Sequence, residues 1–403
     1  MRVKNIIIRI TFGLVVLFIL SFPGWAETES NKHQCKWEPV NPNEITNILA
    51  MIADRTKKNH NKINTWQGKT ETVTVSWEKD NEILREQFRN EKVIPDEIKK
   101  YQEFTREFAV DVNNGLLYDH HCPNDLFEVT DVKTEEEIQL KSGMAMDNGT
   151  YILTPDYHLN YYKFNFVYDK NKNKSITHTA VKYPRSEDEK GDLTCGSGNK
   201  MYPIYNPLEN FKPSGDYPWE ELEKYAAYID RVGLTSTLAG YTMEVKVEKC
   251  DFGDVEKYRV TLPSVASGGP KVYISSAMVY SSNAGFNVVS SSFTVNNILI
   301  ENQEWDYELI NGVYLPVKIT KNSFDRKNGD LNKKSTSTFT EQKVNHPINE
   351  EVFTYKSLGL QEGEIIEDKI DNKVYIYKNK GELIELEKES FFADDPNKPE
   401  QKE

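Results

Sequence analysis

The stretch from Glu304 to Thr320 constrains this chain more than any other. Trp305, Tyr307 and Leu309 alternate with Asp306, Glu308 and Ile310, and after Asn311-Gly312, Val313, Leu315, Val317 and Ile319 alternate with Tyr314, Pro316, Lys318 and Thr320. Period-two alternation marks a half-buried strand, and Asn-Gly between two such runs is the strongest short hairpin signal. Both turn residues need positive φ, which Asn tolerates and Gly adopts freely. Pro316 has no N–H to give to a ladder, so it predicts an edge or a break in pairing there. A second turn, Lys327-Asn328-Gly329-Asp330, leads into a strand at 335–344 in which Thr336, Thr338 and Thr340 face away from Ser337, Phe339 and Glu341. The expectation is an antiparallel meander with one apolar and one wet face.

The rest of the chain reads as more of the same. Hydrophobic residues make up 38% of the 403 positions, against about 45–50% in globular chains, while aromatics reach 11%. That balance suits sheets with a solvated face better than a doubly covered parallel sheet. Strands are predicted at 65–77, 108–112 and 116–118, at 241–249, 255–262, 271–279 and 285–295, and in a small hairpin around Asp371-Asn372-Lys373. Met144–Leu153 reads as a hairpin turning at Asn148-Gly149, and Pro95–Glu103 as a short helix. Two helices stand out. One starts at an Asn43 cap and runs to about Asn61, with Ile45, Ile48, Leu49, Ile52 and Ala53 on one stripe. The other is capped by Asp216, has Pro218 in its first turn, carries Trp219, Leu222, Tyr225, Ala226, Ile229 and Val232 along one face, and ends at Gly233. The class is therefore α+β, mainly antiparallel β.

The net charge of −13 provides no basic stripe for nucleic acid or for an anionic membrane surface. Arg2, Lys4 and Arg9 precede an apolar run from Ile10 to Leu20, and Gly24-Trp25-Ala26 follows, so residues 1–26 read as a secretory signal peptide cleaved after Ala26. The run is about half of the ~20 residues a spanning helix needs. The expected location is the periplasm, with no membrane span after cleavage. Cys35, Cys122, Cys195 and Cys250 all follow the leader, which predicts two disulfides with three possible pairings. His120-His121-Cys122 resembles a metal motif, but neighbours on a strand point to opposite faces, so no metal site is expected.

No nucleophile elbow, phosphate loop, dinucleotide fingerprint or paired-His zinc motif is present, so no enzyme and no cofactor are expected. The dense run Tyr157, Tyr161, Tyr162, Phe164, Phe166 and Tyr168 reads either as a strand packed on the core or as the lining of an apolar cavity.

Three local features resemble the periplasmic outer-membrane lipoprotein-sorting (LolA-like) superfamily. Ile48 to Gly68, ending in Ile63-Asn64-Thr65-Trp66-Gln67-Gly68, looks like that family's opening helix running into its first strand. Asp147 to Asp156 resembles its Asp-Gly hairpin ending in Thr-Pro. Asn311 to Pro316, followed by Phe339, Asn345-His346-Pro347-Ile348 and Phe353, looks like its closing meander. The resemblance covers roughly 44–355 and is closest to envelope proteins of unknown function carrying this domain. It implies a strongly curved open sheet, a half-barrel, with helices over its concave face and an acyl-binding cavity between them. The implied division is a flexible segment at 27–42, the sheet domain at 43–355 with insertions near 78–105 and 169–215, a C-terminal hairpin at 356–386 and a disordered tail at 387–403. The implied function is a non-enzymatic carrier for a lipid or acylated ligand, protein included. Tyr161, Tyr162, Phe164, Phe166, Trp219, Leu222, Tyr225 and Trp305 are the cavity candidates. The alternative is an envelope interaction or sensor module that binds a protein partner.

Overall fold

The computed structural model describes residues 36–79, 96–121, 126–134, 144–166, 175–185, 193, 205–213, 217–238, 241–266, 272–378 and 381–386. Among these residues the α-helices are α1, Ile45–His60, and α2, Pro218–Val232. The strands before α2 are β1 (Glu38–Pro39), β2 (Thr65–Glu78), β3 (Ile98–Asp111), β4 (Leu116–His121), β5 (Leu126–Asp131), β6 (Met144–Leu153), β7 (Tyr157–Phe166) and β8 (Ser175–Pro184). After it come β9 (Thr235–Leu238), β10 (Tyr241–Glu244), β11 (Lys246–Phe252), β12 (Val255–Ala266), β13 (Val272–Ser281), β14 (Val288–Val295), β15 (Ile298–Ile310), β16 (Val313–Phe324), β17 (Leu331–Val344), β18 (Ile365–Asp368), β19 (Lys373–Lys378) and β20 (Glu382–Leu386).

Except for the β9–β10 hairpin, these strands pair into one large open sheet. The order is β1-β11-β12-β13-β14-β15-β16-β17-β2-β3, after which β4 and β5 share the far edge of β3. From β4 the sheet continues through β6, β7, β8, β18, β19 and β20. Neighbours are antiparallel, with the exception of β8 and β18, which are parallel. The segment 356–386 thus continues the main sheet.

The central hairpin forms as its sequence dictates. Asn311 and Gly312 have φ of 48° and 78°, and Ile310 pairs with Val313. Pro316 lies opposite a bulge at Asp306/Tyr307, and pairing of β16 to β17 begins only at Lys318. The missing N–H therefore falls where the ladder is already interrupted.

Several expectations are corrected. Asn148-Gly149 is no turn: β6 runs straight through it, and the sequence feature marks a bulge after Met146. Glycine in a strand serves a bulge as readily as a hairpin. Pro95–Glu103 is not helical, since β3 starts at Ile98 and pairs along the whole of β2. The stretch 169–215 contains β8 and a 3-10 turn at Pro207–Phe211. Strand 241–249 breaks at Val245 into β10 and β11. Asn41, not Asn43, caps the turn before α1, accepting the Asn43 N–H. The first turn of α2 is closed by the Glu220 carboxylate on the Tyr217 N–H at 3.2 Å, and its end by Gly233 at φ 89°. Asp216 lies outside the described residues.

Both helices pack on one face of the sheet. Ile45, Leu49, Ile52 and Ala53 of α1 and Trp219, Leu222, Ala226 and Ile229 of α2 meet Val247, Val260, Leu262, Met278, Tyr280, Val288 and Trp305 in one buried cluster. Each fully buried aliphatic side chain there contributes about 1.5–3 kcal/mol. Val232, at the end of the predicted stripe, is 50% exposed.

Polar groups fix the register of α1. Asn59 is buried, and its side-chain amide both donates to the Tyr314 carbonyl at 3.0 Å and accepts from the Tyr314 N–H at 2.9 Å. Thr56 donates to the Phe286 carbonyl at 2.7 Å. Where α1 turns into β2, Asn345 accepts from Asn64 N–H and donates to the Lys62 carbonyl, each at 2.8 Å.

Candidate functional site

On the helix-bearing face, side chains follow the period of two. Along β2 this face carries Trp66, Thr70, Thr72 and Thr74; along β3, Phe104, Arg106, Phe108 and Val110; along β4, Leu117, Asp119 and His121. Trp66, Phe108, Val110 and Leu117 make one end of this face apolar; beyond them it carries the threonines of β2, Arg106, Asp119 and His121, and on β3 also Phe104 and the buried Ile98. At the apolar end Trp66, Phe108, Leu117, Leu153, Phe211, Leu315 and Phe339 form a buried cluster. Trp66 meets Phe108 edge-on at 5.1 Å and stacks on Phe339 at 6.0 Å.

The change of character falls on a buried ion pair. Arg106 Nη1 donates to Asp119 Oδ2 at 3.1 Å, and the Tyr205 N–H donates to the same oxygen at 3.0 Å. The guanidinium lies over the Tyr205 ring at 5.3 Å and the Phe104 ring at 5.6 Å. Burial pushes the Asp119 carboxyl up from its ordinary range, and Arg106, the Tyr205 N–H and His121 oppose that. Burial likewise raises the Tyr205 phenol, whose oxygen accepts from Asn210 Nδ2 at 2.9 Å. Asn210 in turn accepts from Trp305 Nε1 at 2.9 Å through its carbonyl. The Pro207–Phe211 turn therefore ties the ion pair to the core beneath the helices.

Beyond the ion pair the β2–β17 part of the face is hydroxyl-rich. Thr72 and Ser337 are hydrogen-bonded across the β2–β17 junction at 2.9 Å, and Thr74 and Ser335 at 3.0 Å. Lys321 pairs with Glu301 at 2.7 Å, and the Gln303 amide donates to Glu301 at 2.8 Å.

A second aromatic assembly joins the helices. His60, at the end of α1, has ring centroids of Trp219, Tyr217 and Phe211 at 4.7, 4.9 and 5.5 Å. Its Nε2 is buried without a hydrogen-bond partner among the described residues. Burial first, and the nearby Lys212 second, hold the imidazole at about 4, below its ordinary 6.5.

Of the sequence-predicted cavity residues, Trp219, Leu222, Tyr225 and Trp305 meet in the helix–sheet core, and Tyr161 lies apart from them. Trp219, Leu222 and Trp305 are buried in the helix–sheet core, at 6%, 0% and 4% exposure. Tyr225 is half-buried, and its hydroxyl donates to the Pro263 carbonyl at 3.1 Å. Tyr161 belongs to a different cluster with Leu358 and Ile366, and donates to Glu364 at 2.9 Å. Alternation along β7 puts Tyr161 on the opposite face from positions 162, 164 and 166; the side chains of Tyr162, Phe164 and Phe166 lie outside the described residues. Cys250 is buried and disulfide-bonded, and Cys35, Cys122 and Cys195 also lie outside them. Among the described residues no group of three His, Cys, Asp or Glu is arranged to hold a metal, and no helix is long and apolar enough to cross a membrane. Sequence reasoning missed Arg106, Asp119 and Tyr205. The available signal was two opposite charges at core-facing positions of adjacent strands, legible only once the β3–β4 register is known.

A cleft of about 780 Å³ opens at the β1 edge, lined by Glu38, Asn41, Glu44, Asn47, Lys249 and Asp251 among others. A smaller one of about 240 Å³ lies by Lys69, Glu107, Glu341 and Lys343. Both are lined by mixed charges.

No family model and no curated protein matches the chain. Among solved structures, the chain is similar to a DUF1329 family protein from Desulfovibrio piger ATCC 29098, with a TM-score of 0.30 and 8% identity over 79% of this chain and 100% of that one.

Proposed function

We propose that the protein is an exported, non-enzymatic binding protein for a lipid or acylated ligand, held on the helix-bearing face of the sheet. The observation that carries the reading is the layering of that face. An aromatic and aliphatic floor of Trp66, Phe108, Leu117 and Phe339 passes at Arg106 and Asp119 into the hydroxyl pairs Thr72–Ser337 and Thr74–Ser335. A surface that changes from apolar to polar along one strand direction suits an amphipathic ligand with its chain on the floor and its head at the ion pair. In this reading the sheet bends around the helices as a half-barrel, the leader is removed after Ala26, and the compartment is the periplasm.

A second reading, a module that binds a protein partner, is favoured by one observation. The space between α1, α2 and β11–β15 is filled, with Leu49, Ile52, Leu222 and Tyr280 all at 0% exposure. Extraction of the purified protein into organic solvent, followed by mass spectrometry of the extract, separates the two. A stoichiometric acyl lipid is the expected result. A clean extract together with a clean native mass overturns the lipid reading and leaves the partner module.

A further inference from the structure

The Arg106–Asp119 pair is incomplete in an informative way. Asp119 is 7% exposed, yet both of its hydrogen bonds with the described residues fall on Oδ2. Among the described residues its Oδ1 is buried without a partner, and so is Arg106 Nε. Each such atom costs on the order of 1–3 kcal/mol if nothing ever meets it. The two are opposite in kind: Oδ1 needs a hydrogen and Nε needs a lone pair. The ionised pair also sums to zero charge. A phosphate or carboxylate head would satisfy Nε but repel Asp119, and an ammonium would do the reverse. Hydroxyls satisfy each without net charge, one donating its O–H to Oδ1 and another accepting from Nε on its oxygen.

The surroundings carry the same preference. Thr70 faces Arg106 in the β2–β3 register, and the Thr72–Ser337 hydroxyl pair is the next step along the strand. The half-buried Phe104 ring beside the guanidinium gives the face of a sugar or glycerol unit an apolar surface to lie on.

We infer that Arg106 and Asp119 bind a neutral, hydroxyl-bearing head group, glycosyl or glyceryl, of the acylated ligand. The inference rests on the lipid-binding reading above and names the class of head that reading leaves open. The test uses the whole protein and four amphiphiles with one chain length, each below its micellar concentration: dodecyl maltoside, monolauroylglycerol, dodecyl phosphate and dodecyltrimethylammonium. Binding is followed by calorimetry. The two hydroxylated heads are expected to bind at least ~10-fold more tightly than the two charged ones, the equivalent of one satisfied hydrogen bond to a charged group. Their mutual ranking distinguishes a sugar from a glycerol unit. Asp119→Asn and Arg106→Lys are expected to abolish that preference while chain binding persists. Unfolding curves identify a variant that does not fold, in which case the wild-type ranking alone decides. Four comparable affinities, or a preference for phosphate, overturn the head-group inference and leave the lipid reading intact. An unchanged preference in folded variants also overturns it, because the two atoms then serve only a buried water. No binding of any amphiphile removes the lipid reading, and the inference falls with it.

Discussion

His60 makes the stability of the helix pair depend on pH between 6.5 and about 4. Its ring sits among Phe211, Tyr217 and Trp219 at the end of α1, with Lys212 as the neighbouring charge. In the unfolded chain the imidazole takes up a proton near 6.5, whereas in the fold it resists until about 4. The folded-state value is the lower one, so the stability tied to the neutral ring is fully present above pH 6.5 and is lost as pH falls through that interval. Linkage at about 1.4 kcal/mol per pH unit gives up to about 3.4 kcal/mol over the interval. His60→Phe keeps an aromatic ring in the box and removes the titration. Urea unfolding of both proteins at pH 7 and pH 5 measures the effect. The wild type is expected to lose about 2 kcal/mol more than the variant between those two values. An unchanged difference in stability at the two pH values refutes the argument. It would mean that the ring is reached by water, or that Nε2 finds a partner when charged.

Asn59→Leu removes both bonds to Tyr314 and leaves its N–H and carbonyl without them; a loss of about 2–5 kcal/mol in urea unfolding is expected. Gly285→Ala meets two obstacles, a φ of 64° and a new Cβ only 2.6 Å from the Tyr314 ring. A loss of at least ~2 kcal/mol in thermal or urea unfolding follows, whereas Gly329→Ala, with open space around it, costs only the positive-φ strain of about 1 kcal/mol. Trp305→Phe preserves most of the buried surface but leaves the Asn210 carbonyl without its donor. Binding of any acyl probe is expected to weaken with the loosened Pro207–Phe211 turn, read by the same calorimetry.

Much of the architecture was legible because the signals were local. The Asn311-Gly312 hairpin and the apolar stripes of both helices depend on a few neighbouring residues and appear where expected. Signals shared by two structures misled. Asn148-Gly149 suits a turn and a bulge equally, and only the pairing of Lys163 and Tyr162 across from it decides between them. The charged run at 98–103 lacked an alternation strong enough to announce a strand, yet β3 is held there by β2 on one side and β5 on the other. The candidate site was hidden for a further reason. Arg106 and Asp119 are 13 residues apart and separated by a turn, and Tyr205 joins them from 86 residues away. No spacing rule links positions brought together by a register and a returning loop. The aromatic run on β7 drew attention by density alone, although alternation along a strand already splits such a run between two faces.

The order of strands has a mechanical consequence. β2 to β8 form one block of sequence neighbours and β11 to β17 another, and the two meet along β2–β17. The short β1, from before the first block, lies against β11 of the second, and β18 to β20, from after the second block, extend β8 of the first. Each half of the molecule is thus fastened by the tail that belongs to the other, as two hands clasp each other's wrists. A single cut of the backbone between the halves, anywhere from 186 to 204, would leave two fragments that still grip one another at three separate strand junctions. Two copies of the chain that exchanged these terminal arms while folding would, by the same logic, be linked rather than merely touching.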